Sequence, residues 1–464
     1  MRMNAPCDRT PLDCSTAGEK SGATAVLARY LIESAYDDLP QPARREAARA
    51  LLNWLGCAIG SSRHETVERA IAAVKPFCGP PQAGILGRSE RVDILNAALL
   101  NGISSHVLDF DDTHARAIHP SAPVLPALLA FAEWRGLSGR QFVHAFVLGV
   151  EAEERIGLSV FPEHYDVGWH ITGTAGVFGA AAAVGKLLNL DKQRMTWALG
   201  IAATQSSGLR EMFGSMCKSL HPGRAAQNGL TAALLAAAGF TSSERAIEAP
   251  RGFAHVMSTR FEPAVITEGL GKRYEILSNM YKPYACGLVV HASIDGCIEL
   301  VREHGIEPDQ IARVELTVSP LVLELTGRRM PNSGLEGKFS VYHAAAAAII
   351  YGAAGESQFS DEVVRDPAVT ALRDRVSARA DASIRKTEAR VTIELKDGRR
   401  LSSHIAHALG TLERPMSDAD LEAKFRSLVS GVLPEERAAA LIEKCWDVDN
   451  LNDVAEIARL AVPS

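Results

Sequence analysis

Apolar residues recur at three- and four-residue spacing through most of this chain, the period of an amphipathic helix. The pattern predicts helices over 24–35, 42–59 and 67–77, then over 92–108, 123–134 and 139–156. Thr24 suits the cap of the first and Pro42 the opening turn of the second. Glycines and prolines between 80 and 91 mark a connection. Small residues after Ile171 predict a helix to Leu188 that neighbours can approach closely, followed by helices over 194–207 and 223–238. Gly239 is placed to stop the last, and Thr241-Ser242-Ser243-Glu244 reads as a capping box opening another. To this point no stretch makes a credible strand.

The period then changes. Residues 313–319 (RVELTVS) and 389–395 (ARVTIEL) alternate polar with apolar, and Lys396-Asp397-Gly398-Arg399 is a hairpin turn leading to a strand over 400–404. Helices are expected between them, over 288–304 and 339–351, and helix returns over 417–429 and 435–445. The fold class is therefore mainly α: a large helical domain built from both chain ends, 23–265 and 409–464, with a smaller α+β lid domain inserted at 266–408. Residues 1–22 are polar, lack an apolar core and read as a flexible tail.

Composition narrows the class. The chain has 464 residues, 47% hydrophobic and 22% charged, with a formal net charge of -6, which fits a globular enzyme and argues against nucleic acid as a partner. Eight cysteines are scattered without a C-x-x-C pair, so they read as reduced thiols of a cytoplasmic protein. The apolar stretches 171–190 and 343–355 are interrupted or too short to be membrane helices.

Candidate chemistry concentrates in Asn101–Ser121, NGISSHVLDFDDTHARAIHPS. Asp109, Asp111, Asp112, His106, His114, His119 and Thr113 fall within a few turns of chain. On a continuing helix His106, Asp109 and Thr113 share a face, while Pro120 puts His119 on a bend. Spacing alone leaves a reactive site and a charge-satisfied core network equally open. These acids and imidazoles could ligate a divalent metal, but their spacing matches no ligand pattern, and the metal-free reading is preferred. Met216–Arg224 (MCKSLHPGR) sets Lys218, His221 and Arg224 on a connection that Pro222 and Gly223 are suited to end, a cradle for carboxylate or phosphate. His170 follows Gly168-Trp169, Lys282 and His291 lie near the expected domain junction, and Tyr342 belongs to a second junction cluster. Gly179–Lys186 fails as a phosphate loop in spacing and in Leu187, and neither a dinucleotide fingerprint nor a nucleophile elbow is present. Several cations with few unpaired acids point to a small polyanionic ligand.

Taken together, NGISSHVLDFDDTH…HPS, GWHITGTAGVFGAAAAVGKLLNLD, MFGSMCKSLHPGRAAQNGLTAALLAAAGF, KPYACGLVVHASID, GKFSVYHA and RPMSDADLEAKF resemble the MmgE/PrpD family, in the family's order and over nearly the whole chain. That family includes 2-methylcitrate dehydratases, cis-aconitate decarboxylases and iminodisuccinate epimerase. The resemblance implies a helical domain with a smaller α+β lid, a homodimer, and no metal or organic cofactor. It implies a site of Asp109, Thr113, His119, His170 and Lys218, with His291 and Tyr342 more loosely matched. The family's reactions all build negative charge on carbon beside a carboxylate, so a proton must move and cations must hold the charge. The expectation is a lyase on a small di- or tricarboxylate, dehydration narrowly ahead of decarboxylation or epimerisation, with a non-catalytic polycarboxylate-binding protein as the other class. His119 and His170 are the expected acid/base pair, Asp109 the partner of an imidazole, and Lys218, His221, Arg224, Lys282, His291 and Tyr342 the carboxylate-binding set.

Overall fold

The computed structural model describes residues 22–116 and 118–463. The expected tail, apart from Gly22, lies outside the described residues. The fold is mainly α, and five helices form its centre: Ile94–Val107, Ser121–Arg135, Gly139–Val160, Ile171–Leu187 and Cys217–Ala237. Small residues let them approach. A Cβ at Gly102 would lie 2.5 Å from Gly223 Cα, and one at Gly229 would lie 2.4 Å from Ala180 Cβ. A side chain at either position would push helices apart and open the core.

The chain end returns to this centre. The Asp418–Val429 helix opens on a capping box of Ser417 with Asp420 and packs on the Gln41–Gly60 helix, where Phe425 closes over Gly56. Lys424 on this helix donates to Asn53 Oδ1 at 2.8 Å. Apolar residues of both segments belong to one buried cluster.

The α+β segment carries a four-stranded sheet in the order Val376–Ala380, Ile311–Val318, Ala389–Leu395, Arg400–Ile405. The first pair is parallel and the others antiparallel. Alternating burial along Ala389–Leu395 turns one face towards the helices His291–His304 and Val341–Tyr351, and a Cβ at Gly296 would meet Val391. The hairpin forms at the expected turn, with Gly398 at φ 90.

Three expectations change, and one strand is new. The helix ending at Val107 does not continue to Thr113; Asp109 takes φ 51 and Thr113 joins a short antiparallel pairing of Thr113–His114 with Asn279–Met280. Lys218, His221 and Arg224 are not on a connection, because the helix starts at Cys217 and carries Pro222 within it. The Thr241–Glu244 segment makes only a turn, with Ser243 Oγ accepting from Arg245 N; Pro250 and Gly252 leave no room for a helix. The strand Val376–Ala380 was not expected; its sequence VSARA alternates apolar with polar residues, but only Val376 in it is buried.

Candidate active site

The helix Ile94–Val107 breaks at Asp109, and three lysines from distant parts of the chain hold the break. Leu108 O accepts from Lys338 Nζ at 2.7 Å, Asp109 O from Lys282 Nζ at 2.8 Å, and Phe110 O from Lys424 Nζ at 2.6 Å. These carbonyls have left the helical ladder, so charge-assisted donors satisfy them. The break aims the Asp109 carboxylate at two ammonium groups: Oδ1 accepts from Lys218 at 2.6 Å and from Lys282 at 3.0 Å. Burial opposes ionisation of Asp109, yet the two lysines hold its carboxyl well below the usual carboxylate range. Burial in turn lowers Lys218 from its ordinary value, with Asp109 opposing. Lys218 Nζ also lies over the rings of Phe213 and Phe339, at 5.2 and 5.4 Å.

Two imidazoles face the same space. His119 Nδ1 donates to Asp112 O at 2.8 Å, and its backbone N–H donates to Thr172 Oγ1 at 3.2 Å. The Nδ1 bond fixes the tautomer and leaves Nε2 as the acceptor. Thr113 Oγ1 lies 3.3 Å from the same Nδ1. Burial drives His119 down to about 3, Asp111 opposing and His106, Lys282 and Lys218 adding to the shift. His170 caps the Ile171–Leu187 helix and shares a 2.8 Å hydrogen bond between its Nδ1 and that of His221. Burial, then Lys218, holds His170 well below its ordinary value, and burial takes His221 to about 4. Both pocket imidazoles are therefore neutral at neutral pH.

Support lies one layer out. His106 Nδ1 contacts Asp111 Oδ2 at 2.8 Å, and its ring centroid lies 4.6 Å from that of His119. Asp112 accepts from Ser121 and Asn279, both at 2.6 Å, and burial with Asp111 beside it raises its carboxyl to about 7.

Asp109, Thr113, His119, His170, Lys218 and Lys282 line one cavity of about 210 Å³. His221 sits behind His170 and touches the cavity only through it. The remaining expected residues are elsewhere. Arg224 is exposed and donates to Gln227 on its own helix, because it points away from Lys218 around the helix. His291 is fully buried, edge-on to Tyr284 with ring centroids 5.2 Å apart, and burial takes it to about 3. Tyr342 lies under Arg329, whose guanidinium carbon is 4.5 Å from the ring centre. Sequence reading missed Lys338 and Lys424 as supports. Their signal was a lysine inside two of the motifs that carry the resemblance, GKFSVYHA and RPMSDADLEAKF.

His106, Asp109 and His119 each offer a ligand atom, all within 4.8 Å of one another. A cation there would share Asp109 with two ammonium groups, so the charge of the site favours an anion instead.

The sequence matches the MmgE/PrpD N-terminal domain over residues 25–266 and the MmgE/PrpD C-terminal domain over 284–448. The chain belongs to the MmgE/PrpD family. Similar relatives include a cis-aconitate decarboxylase of Aspergillus terreus, 27% identical over 95% of this chain and 96% of its own. A human cis-aconitate decarboxylase is 27% identical over 90% of this chain and 89% of its own. A mitochondrial 2-methylcitrate dehydratase of Yarrowia lipolytica is 22% identical over 90% and 86%. In this MmgE/PrpD enzyme the motif residues Asp109, Thr113, His119, His170 and Lys218 come together from three separate segments of chain. No described helix is long and apolar enough to cross a membrane.

Proposed function

We propose that the protein is a cofactor-independent lyase acting on a small tricarboxylate, and that its reaction is decarboxylation of the cis-aconitate type. The observation that carries this reading is the cavity floor, where Lys218 and Lys282 converge on one carboxylate beside two neutral imidazoles. Two ammoniums against one carboxylate leave a positive charge for a substrate carboxylate and for the charge that develops on carbon.

The protonation states decide between reactions. Dehydration needs a base for the α-proton and a separate acid for the departing hydroxyl. Decarboxylation needs one acid. The carbon–carboxylate bond breaks, its electron pair moves through the neighbouring double bond, and the far carbon takes a proton while carbon dioxide leaves. With both imidazoles neutral, the ammonium of Lys218 is the acid on the cavity wall. This moves the preference from the dehydration that the sequence favoured. The relatives named for decarboxylation support the same choice, since they align at higher identity than the dehydratase. Dehydration remains the second reading, because His119 and His170 both reach the cavity and a bound polyanion would raise their proton affinity.

Incubation with cis-aconitate and with 2-methylcitrate in deuterated water, followed by NMR, tests both. Decarboxylation releases carbon dioxide and leaves one deuterium on the product carbon. Water loss alone selects dehydration, exchange without net product selects epimerisation, and binding with neither sinks the lyase reading. The homodimer and the cytoplasmic location belong to the same reading; light scattering and fractionation test them.

A further inference from the structure

The cavity floor accounts for one pair of cations, yet the mouth carries another. Arg116 follows the short strand Thr113–His114, and Lys386 lies between the strands Val376–Ala380 and Ala389–Leu395. Both line the cavity. Lys386 Nζ donates to Ala115 O at 3.0 Å and to Arg116 O at 3.3 Å, tying the α+β segment to the Asp109 loop. An ammonium has three donors, so one remains after these two bonds. Among the described residues neither cation forms an ion pair with an acid. Burial lowers Lys386 from its ordinary value, and the neighbouring Arg116 charge lowers it further. Asp166 also reaches the rim but is exposed, where solvent screens it. Arg116 is exposed like Asp166, whereas Lys386 is partly buried beside it, so a bound anion relieves the repulsion that Lys386 feels.

We propose that Arg116 and Lys386 form a second carboxylate site at the cavity mouth, which selects tricarboxylates over dicarboxylates. The proposal rests on the reading of the cavity as a carboxylate site. The floor carries one net positive charge, and at the mouth the cations Arg116 and Lys386 outnumber the single exposed carboxylate of Asp166, which suits a ligand with a third carboxylate. Dicarboxylates satisfy the floor alone. Because one clamp residue comes from each side of the cavity, the third carboxylate also bridges the two parts of the chain.

Calorimetric binding of propane-1,2,3-tricarboxylate and of glutarate tests this without turnover. The intact protein is expected to prefer the tricarboxylate. Arg116→Gln combined with Lys386→Gln should weaken it about tenfold or more, the worth of one charged hydrogen bond, while glutarate changes less than about twofold. Lys386→Arg keeps the charge and should keep the preference, which separates a lost clamp from a loosened loop. Equal weakening of both ligands, or of neither, overturns the clamp. So does an intact protein that binds the two alike. If these binding preferences hold but no polycarboxylate is turned over, the lyase reading fails and the clamp stands. If cis-aconitate is converted but the variants keep the preference, the clamp fails and the lyase reading stands.

Discussion

Two buried clusters of charge lie close together and are built on opposite rules. Under the cavity, Asp109 meets Lys218 and Lys282, and Lys338 and Lys424 hold the backbone on either side. On the Gly139–Val160 helix, Glu153 and Glu154 are fully buried and their carboxylate oxygens have no hydrogen-bond partner among the described residues. Burial, then neighbouring acids, raises both well above the usual range. Asp112 lies at the seam, its Coulomb influence reaching both glutamates while Ser121 and Asn279 bond its Oδ2. The first cluster stays charged because each charged group in it is hydrogen-bonded. The second is tolerable because it is neutral. A site that must stabilise an anion requires the first rule.

The comparison breaks most visibly at Asp109. Asp109→Asn leaves two buried ammoniums without a counter-charge, and urea unfolding should show a loss of about 3–5 kcal/mol. Glu153→Gln has nearly the same shape but removes a group that is already neutral, so at neutral pH it should be neutral or stabilising. A loss at Glu153 as large as that at Asp109 would show that the glutamate is ionised and the contrast false.

Lys218→Met tests function on the first cluster. Removing a fixed cation at the developing charge should lower kcat/KM about 10³-fold in a stopped decarboxylation assay, with the fold retained.

The titration of stability sharpens the contrast. The unfolded chain protonates histidine near pH 6.5, whereas His119 and His291 in the folded protein refuse the proton until about 3. Their contribution is therefore lost as pH falls below about 6.5. Glu153 and Glu154 act oppositely: folded, they keep protons that the unfolded chain releases above about 4.3, so stability falls as pH rises. Between these limits the histidines and the glutamates act in opposite directions. Relative to the unaltered protein, Glu153→Gln with Glu154→Gln should make stability fall by about 3 kcal/mol more per pH unit on acidification below about 6. Parallel pH profiles for the two proteins would overturn the assignment of those protons.

The smallest effect is proton uptake on ligand binding. A tricarboxylate beside His119 and His170 raises their affinity for protons, so calorimetry at pH 6 in buffers of different ionisation enthalpy should show fractional uptake, less than one proton.

The helical frame was legible because a period of 3.6 with Gly and Pro breaks is local information. The alternation in RVELTVS and ARVTIEL fixed two strands, and KDGR their turn. Val376–Ala380 was not legible, since its strand character comes from the parallel partner Ile311–Val318 and only Val376 in it is buried. Asp109, His119, His170 and Lys218 were legible as residue types in motifs. The misplacement of Arg224 came from one local error, taking the first turns of the Cys217–Ala237 helix for a loop. His291 and Tyr342 look alike in sequence whether they face a cavity or a core.

The sequence by itself determined which residues can carry the chemistry and which stretches become helix. The tertiary structure decided the state of each group, because protonation depends on burial and on neighbours far away in the chain. Asp109 is ionised despite its burial because residues 218 and 282 converge on it, and His119 stays neutral well into acid because it is buried beside those lysines. The left-handed break that aims Asp109 is held by carbonyl contacts to residues 338, 282 and 424, a set that local sequence around Asp109 does not contain.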